Sequence, residues 1–423
     1  MKRILFMILS LCVVLISTSC NIFQSPEESR MNPISASTLS NEVNVDKQII
    51  DSYNQFGMEL FNQISQEKKE ENIFLSPYSI SAALSIVYNG ANSTTKDAMA
   101  EMLHIKGIDL KALNEANHSL KKKLENSDSK VTLNIANSLW YRENSNINMK
   151  EEFIKHNQDF YDGKVEGLDF SKSESMDIIN EWVYNQTNGK IQKVGDSISP
   201  NVLLFIINAI YFQGDWTKPF LEHNTKEDHF YLSDGTIKKV KLMNQQGSFQ
   251  YAEQENYQAI QLPYGDEKFN MMIILPKENI GLEKVQQQFL TNTNEWDIPF
   301  KELEGNIYLP SFQMKFDISL NDVLKDLGME VAFDQNSADF SNMSETSSNQ
   351  NLYISKVQHQ SFIDVNENGT EAAAVTSVTV VFTSAIESSH LFEMKVNRPF
   401  FFVIQEQETD KKLFLGSVVD PTM

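Results

Sequence analysis

An α+β fold is predicted for residues 47–423, and three features of the sequence carry that prediction. Apolar residues near the front recur at helical spacing, whereas from residue 131 onward they alternate or run together as they do in strands. The two patterns are segregated, helices first and strands later, which excludes the regular βαβ alternation of a parallel α/β protein. No linker or repeat interrupts the chain after Lys47, so one large domain is expected.

Taken in order, "QIIDSYNQFGMELFNQISQ" places Ile50, Tyr53, Phe56, Leu60 and Ile64 on one helical face. "NIFLSPYSISAALSIVYNGA" begins as a short apolar strand, turns at Ser76-Pro77 and continues as a helix. Ser76 is the residue type that accepts a backbone N–H at a helix cap, and Pro77 suits a first turn whose N–H lacks a partner in any case. "TTKDAMAEML" starts a further helix. "VTLNIANSLWY" alternates as a strand should, while "VLLFIINAIYFQGDW" is almost continuously apolar, the mark of a strand buried on both faces. "QAIQLPYGDEKFNMMIILP", "NIYLPSFQMKFDIS" and the C-terminal stretch add strands, with a helix near "LNDVLKDLGM".

The first twenty residues read differently. Lys2 and Arg3 precede an apolar run from Ile4 to Ile16 and then "STSC", ending at Cys20, which is the pattern of an export signal and too short to span a bilayer comfortably. The stretch resembles a bacterial lipoprotein signal in which Cys20 becomes the lipidated first residue, although Ser17 stands where leucine is usual. An ordinary secretory peptide is the alternative. Residues 1–20 are thus expected to direct export, with anchoring through Cys20 at a periplasmic or cell-surface membrane, or secretion without it. Residues 21–46, rich in Ser, Asn, Glu and Pro without a period, read as a flexible tether. Both cysteines, Cys12 and Cys20, lie in the signal, so the domain has no disulfide scaffold.

The formal net charge of -21 argues against nucleic acid as a partner, because phosphate binding needs a basic surface. The sequence has no G-x-S-x-G, H-E-x-x-H, C-x-x-C, P-loop or G-x-G-x-x-G motif. The seven histidines are scattered. His223 and His229 miss the i,i+4 spacing of paired helical ligands and are expected at the surface, and His359, in "LYISKVQHQSFIDV", is expected to be a hydrogen-bonded core residue. No catalytic residue, metal or cofactor is therefore expected, and the chain is expected to be a monomer.

Four stretches in fixed order do carry a resemblance: "NIFLSPYSI", "INAIYFQGDWTKPF", "VNENGTEAAAV", and "MKVNRPFFFVI" followed by "LFLGSVVDP". Together they resemble the serpin family over nearly all of residues 48–423. The resemblance implies three β-sheets, about eight or nine helices and an exposed reactive loop. It also implies a mechanism: a target protease cuts the loop, is acylated to it, and is carried off and distorted as the freed loop inserts into the largest sheet. This insertion is an established example of strand addition. The partners implied are serine proteases, with papain-like cysteine proteases as a second class, bound as a covalent acyl complex. The other possibility within the family is a non-inhibitory binding or carrier protein.

The hinge of that loop would comprise Glu367, Gly369, Thr370, Glu371, Ala372, Ala373 and Ala374, and its residue types suit insertion. In a strand, alternate side chains face opposite sides. One face would hold Thr370, Ala372, Ala374, Thr376, Val378, Val380 and Phe382, without charge and with small residues leading; Glu371 falls on the other face. A face entering above a core must carry no carboxylate, since an unpaired buried charge is expensive. Small side chains lose little rotamer entropy, and the β-branched residues behind them favour strand. About fourteen residues gaining ladder bonds on two sides, at ~1 kcal/mol net per bond, supply on the order of 10–20 kcal/mol.

Inhibitory relatives place the scissile bond fourteen residues beyond the hinge glycine, which implies Thr383–Ser384 here, with Phe382 and Val381 as the nearest alternatives. Thr383 suits an elastase-like pocket, and Phe382 suits chymotrypsin-like or subtilisin-like enzymes, or the subsite at which papain-like enzymes select. No Arg or Lys lies between Gly369 and Glu393, which disfavours trypsin-like targets. The resemblance further implies that Ser76, Ser79, Asn208 and His359 form a buried polar cluster under the opening strands, and that Trp216 and Glu367 stand where insertion begins. A lysine that often pairs with this glutamate is replaced by Ser311, which leaves that ion pair in doubt.

Overall fold

The computed structural model describes residues 36–145, 147–346, 351–370 and 391–423, with side chains from Lys47 onward, Asn144 and Thr346 excepted. Cys20 and the rest of the stretch expected to be an export signal lie outside the described residues, as do Glu371, Ala372, Ala373, Ala374, Val381, Phe382, Thr383 and Ser384. The chain divides into residues 1–41 and Glu42–Met423, and the fold below is that of the second unit.

In chain order the elements begin with α1 (Ala36–Glu67), β1 (Ile73–Leu75), α2 (Pro77–Gly90), α3 (Ser93–Met102) and α4 (Leu110–Asn126). There follow β2 (Val131–Arg142), β3 (Ile147–Met149), α5 (Glu151–Tyr161), β4 (Lys164–Leu168), α6 (Glu174–Gln186) and β5 (Leu204–Asp215). The middle of the chain supplies β6 (Lys226–Tyr231), β7 (Ile237–Glu253), β8 (Tyr257–Tyr264), β9 (Phe269–Pro276), α7 (Leu282–Thr291), β10 (Lys301–Pro310) and β11 (Phe312–Ser319). Last come α8 (Asn321–Leu324), α9 (Glu330–Phe333), β12 (Ser344–Thr346), β13 (Ile354–Asn366), β14 (Gly369–Thr370), β15 (Phe392–Lys395), β16 (Phe400–Glu406) and β17 (Lys411–Val418).

The class is α+β, and three sheets are present among the described residues. One is nine-stranded, in the order β1-β17-β16-β9-β8-β7-β10-β15, with β6 on β7; one is six-stranded, β11-β13-β14-β5-β2-β4; the third pairs β12 with β3. The main core lies between the two large sheets. Phe212 on β5 meets Tyr264 of β8 edge-on with ring centroids 5.2 Å apart and Phe414 of β17 at 5.7 Å, and Phe74 stacks on Phe414 at 4.8 Å.

The continuous apolar run of β5 has its reason here. Leu204, Ile206, Ile210 and Phe212 point into that main core. The alternate residues Phe205, Ile207 and Ala209 pack on the opposite face with Met176, Ile179 and Val183 of α6. A strand sandwiched in this way cannot carry a polar alternation. The start of α2 follows its sequence: Ser76 caps the helix, accepting from the Ser79 N–H at 3.2 Å, and Pro77 opens its first turn.

Some boundaries differ from the sequence reading. The first helix begins at Ala36, so residues 36–46, assigned to a flexible tether, are helical. Leu39 and Val43 continue the apolar spacing toward Ile50, a signal outweighed by the Ser and Asn around it. "NIYLPSFQMKFDIS" holds strands of two different sheets, β10 and β11, separated at Ser311. The helix at "LNDVLKDLGM" is broken by a π turn over Lys325–Met329, where Gly328 takes φ 104°, a conformation that favours glycine.

Candidate functional site

The six-stranded sheet has a seam. β13 runs parallel to β5 and pairs with it directly from Ile354–Leu204 up to Phe362–Tyr211. Beyond Phe362 the two strands part, the chain turns at Glu367–Asn368, and β14 comes back between them. Thr370 faces Val365 on one side and Gly214 on the other, and Gly369 faces Asn366 and Asp215; both pairings are antiparallel. Two residues of the hinge therefore already occupy the place of an additional strand. Parallel ladders are slightly less stable per residue than antiparallel ones. Extending β14 would exchange one parallel ladder for two antiparallel ladders.

The turn is held mainly by the segment that follows β5. The Trp216 backbone N–H donates to Asn368 O at 2.9 Å, and its indole N–H to Asn366 O at 3.0 Å. The Phe220 N–H donates to Glu367 O at 2.8 Å. The Trp216 ring stacks on Tyr264 with centroids 4.4 Å apart and planes 11° from parallel. Beneath β14 the Tyr264 and Thr370 hydroxyls are 2.7 Å apart, and neither residue is exposed to solvent. Gly369 is required by close approach: a Cβ there would collide with the Gly214 carbonyl oxygen. The Glu367 carboxylate accepts from the Thr225 hydroxyl at 2.7 Å, while Ser311 donates its N–H to Lys241 O at 3.0 Å. A neutral contact thus stands where the family resemblance led one to look for a lysine.

Lower in the seam lies a polar row. Asn208 of β5 sits level with Asn137 of β2 on one side and His359 of β13 on the other. Its amide donates to Asn137 Oδ1 at 2.6 Å, to Ser79 O at 3.1 Å and to Ser79 Oγ at 2.5 Å. Its Oδ1 lies 2.6 Å from His359 Nδ1, so that nitrogen carries the proton and donates. Ser76 donates to Leu413 O at 2.6 Å, and Ser361, next inward on β13, donates to Phe74 O. Ser76, Ser79, Asn208 and His359, named from the sequence, are brought together. Asn137 and Ser361 were not named, because which residues lie level depends on strand register. Trp216, Glu367, Gly369 and Thr370 meet at the upper end of the seam. His223 and His229 are exposed.

The row predicts a pH effect. Burial pushes His359 down to about 3 from its ordinary 6.5, so the native protein holds it neutral. Below about pH 6.5 the unfolded chain binds a proton that the native state refuses. This contribution is complete above the unfolded value and declines as pH falls toward 3, by at most about 1.4 kcal/mol per pH unit. The drop in urea midpoint between about pH 7.5 and about pH 5 is expected to shrink in His359→Gln. An identical drop in both proteins would remove His359 from the account.

Two parallel neighbours that part at the head of the sheet, with a third strand turned in between them, define the class of fold to which the chain belongs. The chain belongs to the serpin family: the family model described as "Serpin (serine protease inhibitor)" matches residues 51–421. A serpin-like protein of Thermococcus kodakarensis is 34% identical over 379 residues, covering 89% of this chain and 86% of its own. The leukocyte elastase inhibitor of Sus scrofa is 33% identical over 379 residues, covering 86% and 97%. Among solved structures, the native state of the thermophilic serpin Tengpin matches with a TM-score of 0.80 at 33% identity, covering 90% of this chain and 94% of that one. Human thyroxine-binding globulin in complex with its hormone matches with a TM-score of 0.80 at 26% identity, covering 90% and 100%. The proteins this chain resembles thus include an elastase inhibitor and a thyroxine-binding globulin.

Proposed function

We propose that the protein is a covalent, conformational-trap inhibitor of serine proteases of the elastase, chymotrypsin or subtilisin type, with papain-like cysteine proteases as a second class. The observation that carries this reading is β14, antiparallel to both β13 and β5 at the head of the seam. In the reaction, the protease nucleophile attacks the carbonyl of Thr383, an ester or thioester forms, and the peptide bond to Ser384 breaks, its nitrogen leaving as an amine. Residues after Thr370 are then free to follow it into the seam. Continued in the register that sets Thr370 against Gly214, Val380 would face Leu204, the end of β5. Entering side chains of even number would share the inward face of Thr370, and Glu371 would point outward. An acidified or bulky hinge would insert too slowly to outrun deacylation; the alanine run has neither fault.

The likeness to thyroxine-binding globulin supports a second reading, a binding protein on the same fold. One gel separates the two. The protein is mixed with elastase, chymotrypsin, subtilisin and papain and run under denaturing conditions. A stable adduct near the summed masses is the expected result with at least one enzyme. Cleavage in the loop without any adduct would favour the binding protein.

A further inference from the structure

The polar contact beneath β14 joins two sheets. Tyr264 ends β8 of the nine-stranded sheet, whereas Thr370 belongs to the six-stranded one. The Tyr264 ring is pinned between Trp216, stacked at 4.4 Å, and Phe212, edge-on at 5.2 Å. Its hydroxyl therefore has little freedom in direction. Burial pushes that hydroxyl well up, against the opposing effect of the Thr370 hydrogen bond, so it remains a neutral hydroxyl. A phenol in so apolar a place needs a partner, since an unpaired buried hydroxyl is costly. Phenylalanine would fill the same space without that need. The Thr370 hydroxyl, 2.7 Å away, is the partner.

We propose that Tyr264 is a positioning residue for loop insertion, holding Thr370 in the seam of the resting protein and thereby setting the register in which the loop follows. This rests on the inhibitory reading above. A slip of one residue turns every side chain of a strand to the opposite face. Here it would bring Glu371 over Tyr264 and bury a carboxylate among Trp216, Phe212 and Tyr264. With Thr370 seated, insertion starts from a formed antiparallel pair rather than from a search for the gap. Tyr264 acts through Thr370 alone and touches neither the scissile bond nor the protease.

The test uses the full chain as wild type, Tyr264→Phe, Thr370→Val and the double variant. The first readout is the stoichiometry of inhibition with a protease that forms an adduct with wild type. The second is the rate at which the intact protein takes up a synthetic peptide with the sequence of residues 370–383. Tyr264→Phe is expected to raise the stoichiometry roughly two- to tenfold, the range for one buried hydrogen bond. It should speed peptide uptake by a similar factor, because the head of the seam is vacated more often. Thr370→Val should do the same, and the double variant should be no worse than either single. A lowered Tm with wild-type stoichiometry and wild-type peptide uptake would mean a merely structural tyrosine and overturn the proposal, as would effects that multiply in the double variant. If wild type traps no protease, the inhibitory reading fails by itself, and the peptide arm still decides whether Tyr264 holds Thr370.

Discussion

Thr370→Arg is expected to turn the protein from a trap into a substrate. Thr370 is wholly enclosed and meets the Tyr264 hydroxyl, with Gly214 and Val365 beside it in the ladder. An arginine at this position must either place its guanidinium there or keep β14 out of the seam. Its ladder partners, Gly214 and Val365, and the Tyr264 hydroxyl offer no carboxylate. Burying the charge unpaired would cost several kcal/mol. The hinge would therefore stay outside, and insertion would slow against a deacylation step running at ~1–1000 per second in ordinary hydrolases. Denaturing gels should show the loop cut and the adduct reduced at least about tenfold, the consequence of ~1.4 kcal/mol or more on the insertion barrier. Undiminished adduct would show that insertion does not pass through the position Thr370 occupies.

The second large effect concerns the protein without its protease. On the proposed mechanism, cutting the loop is expected to release the segment behind Thr370 to extend β14 down the seam. Along β5 this runs from Gly214 to Leu204, with the parallel ladder to β13 exchanged for two antiparallel ones. The gain is on the order of 10 kcal/mol at ~1 kcal/mol net per bond, comparable to the whole stability of an ordinary domain. The polar row at Asn208 fits this role. Its hydrogen bonds to Ser79, Asn137 and His359 join β2, β5, β13 and α2. Such a network holds the strands closed yet can be re-formed around an incoming strand. For a domain of this size, with an unfolding entropy of about 0.8 kcal/mol/K, a gain on that scale should raise the melting temperature by about 10 °C or more.

Much of this was legible in the sequence, for reasons that can be named. Helix and strand periods are local, so α2, β2 and β5 are readable from a dozen residues each, and the Ser76 cap is a matter of residue type. Glycine at 369 and threonine at 370 could be marked as a hinge from their size and the alanines behind them. Residues whose role depends on two distant segments were not readable. Asn137 is one of several polar residues in β2, and only the register with β5 sets it beside Asn208. Tyr264 looks like any aromatic at the end of a hairpin strand until β14 is seen above it. Thr225 replaces the missing lysine as the partner of Glu367 because the chain after Phe220 passes over the turn, which no local pattern announces. The helical start at Ala36 was hidden by composition.

The proposed inhibition requires a resting fold that is not the most stable one this chain can adopt. Calorimetry on the intact protein, and on the same protein nicked between Gly369 and Glu393 by a sparing dose of elastase or subtilisin, measures that directly. A melting transition displaced upward by about 10 °C or more in the nicked form is the predicted result. Transitions that coincide, with the nick verified by mass, would contradict it and leave the seam as an ordinary feature of a finished sheet.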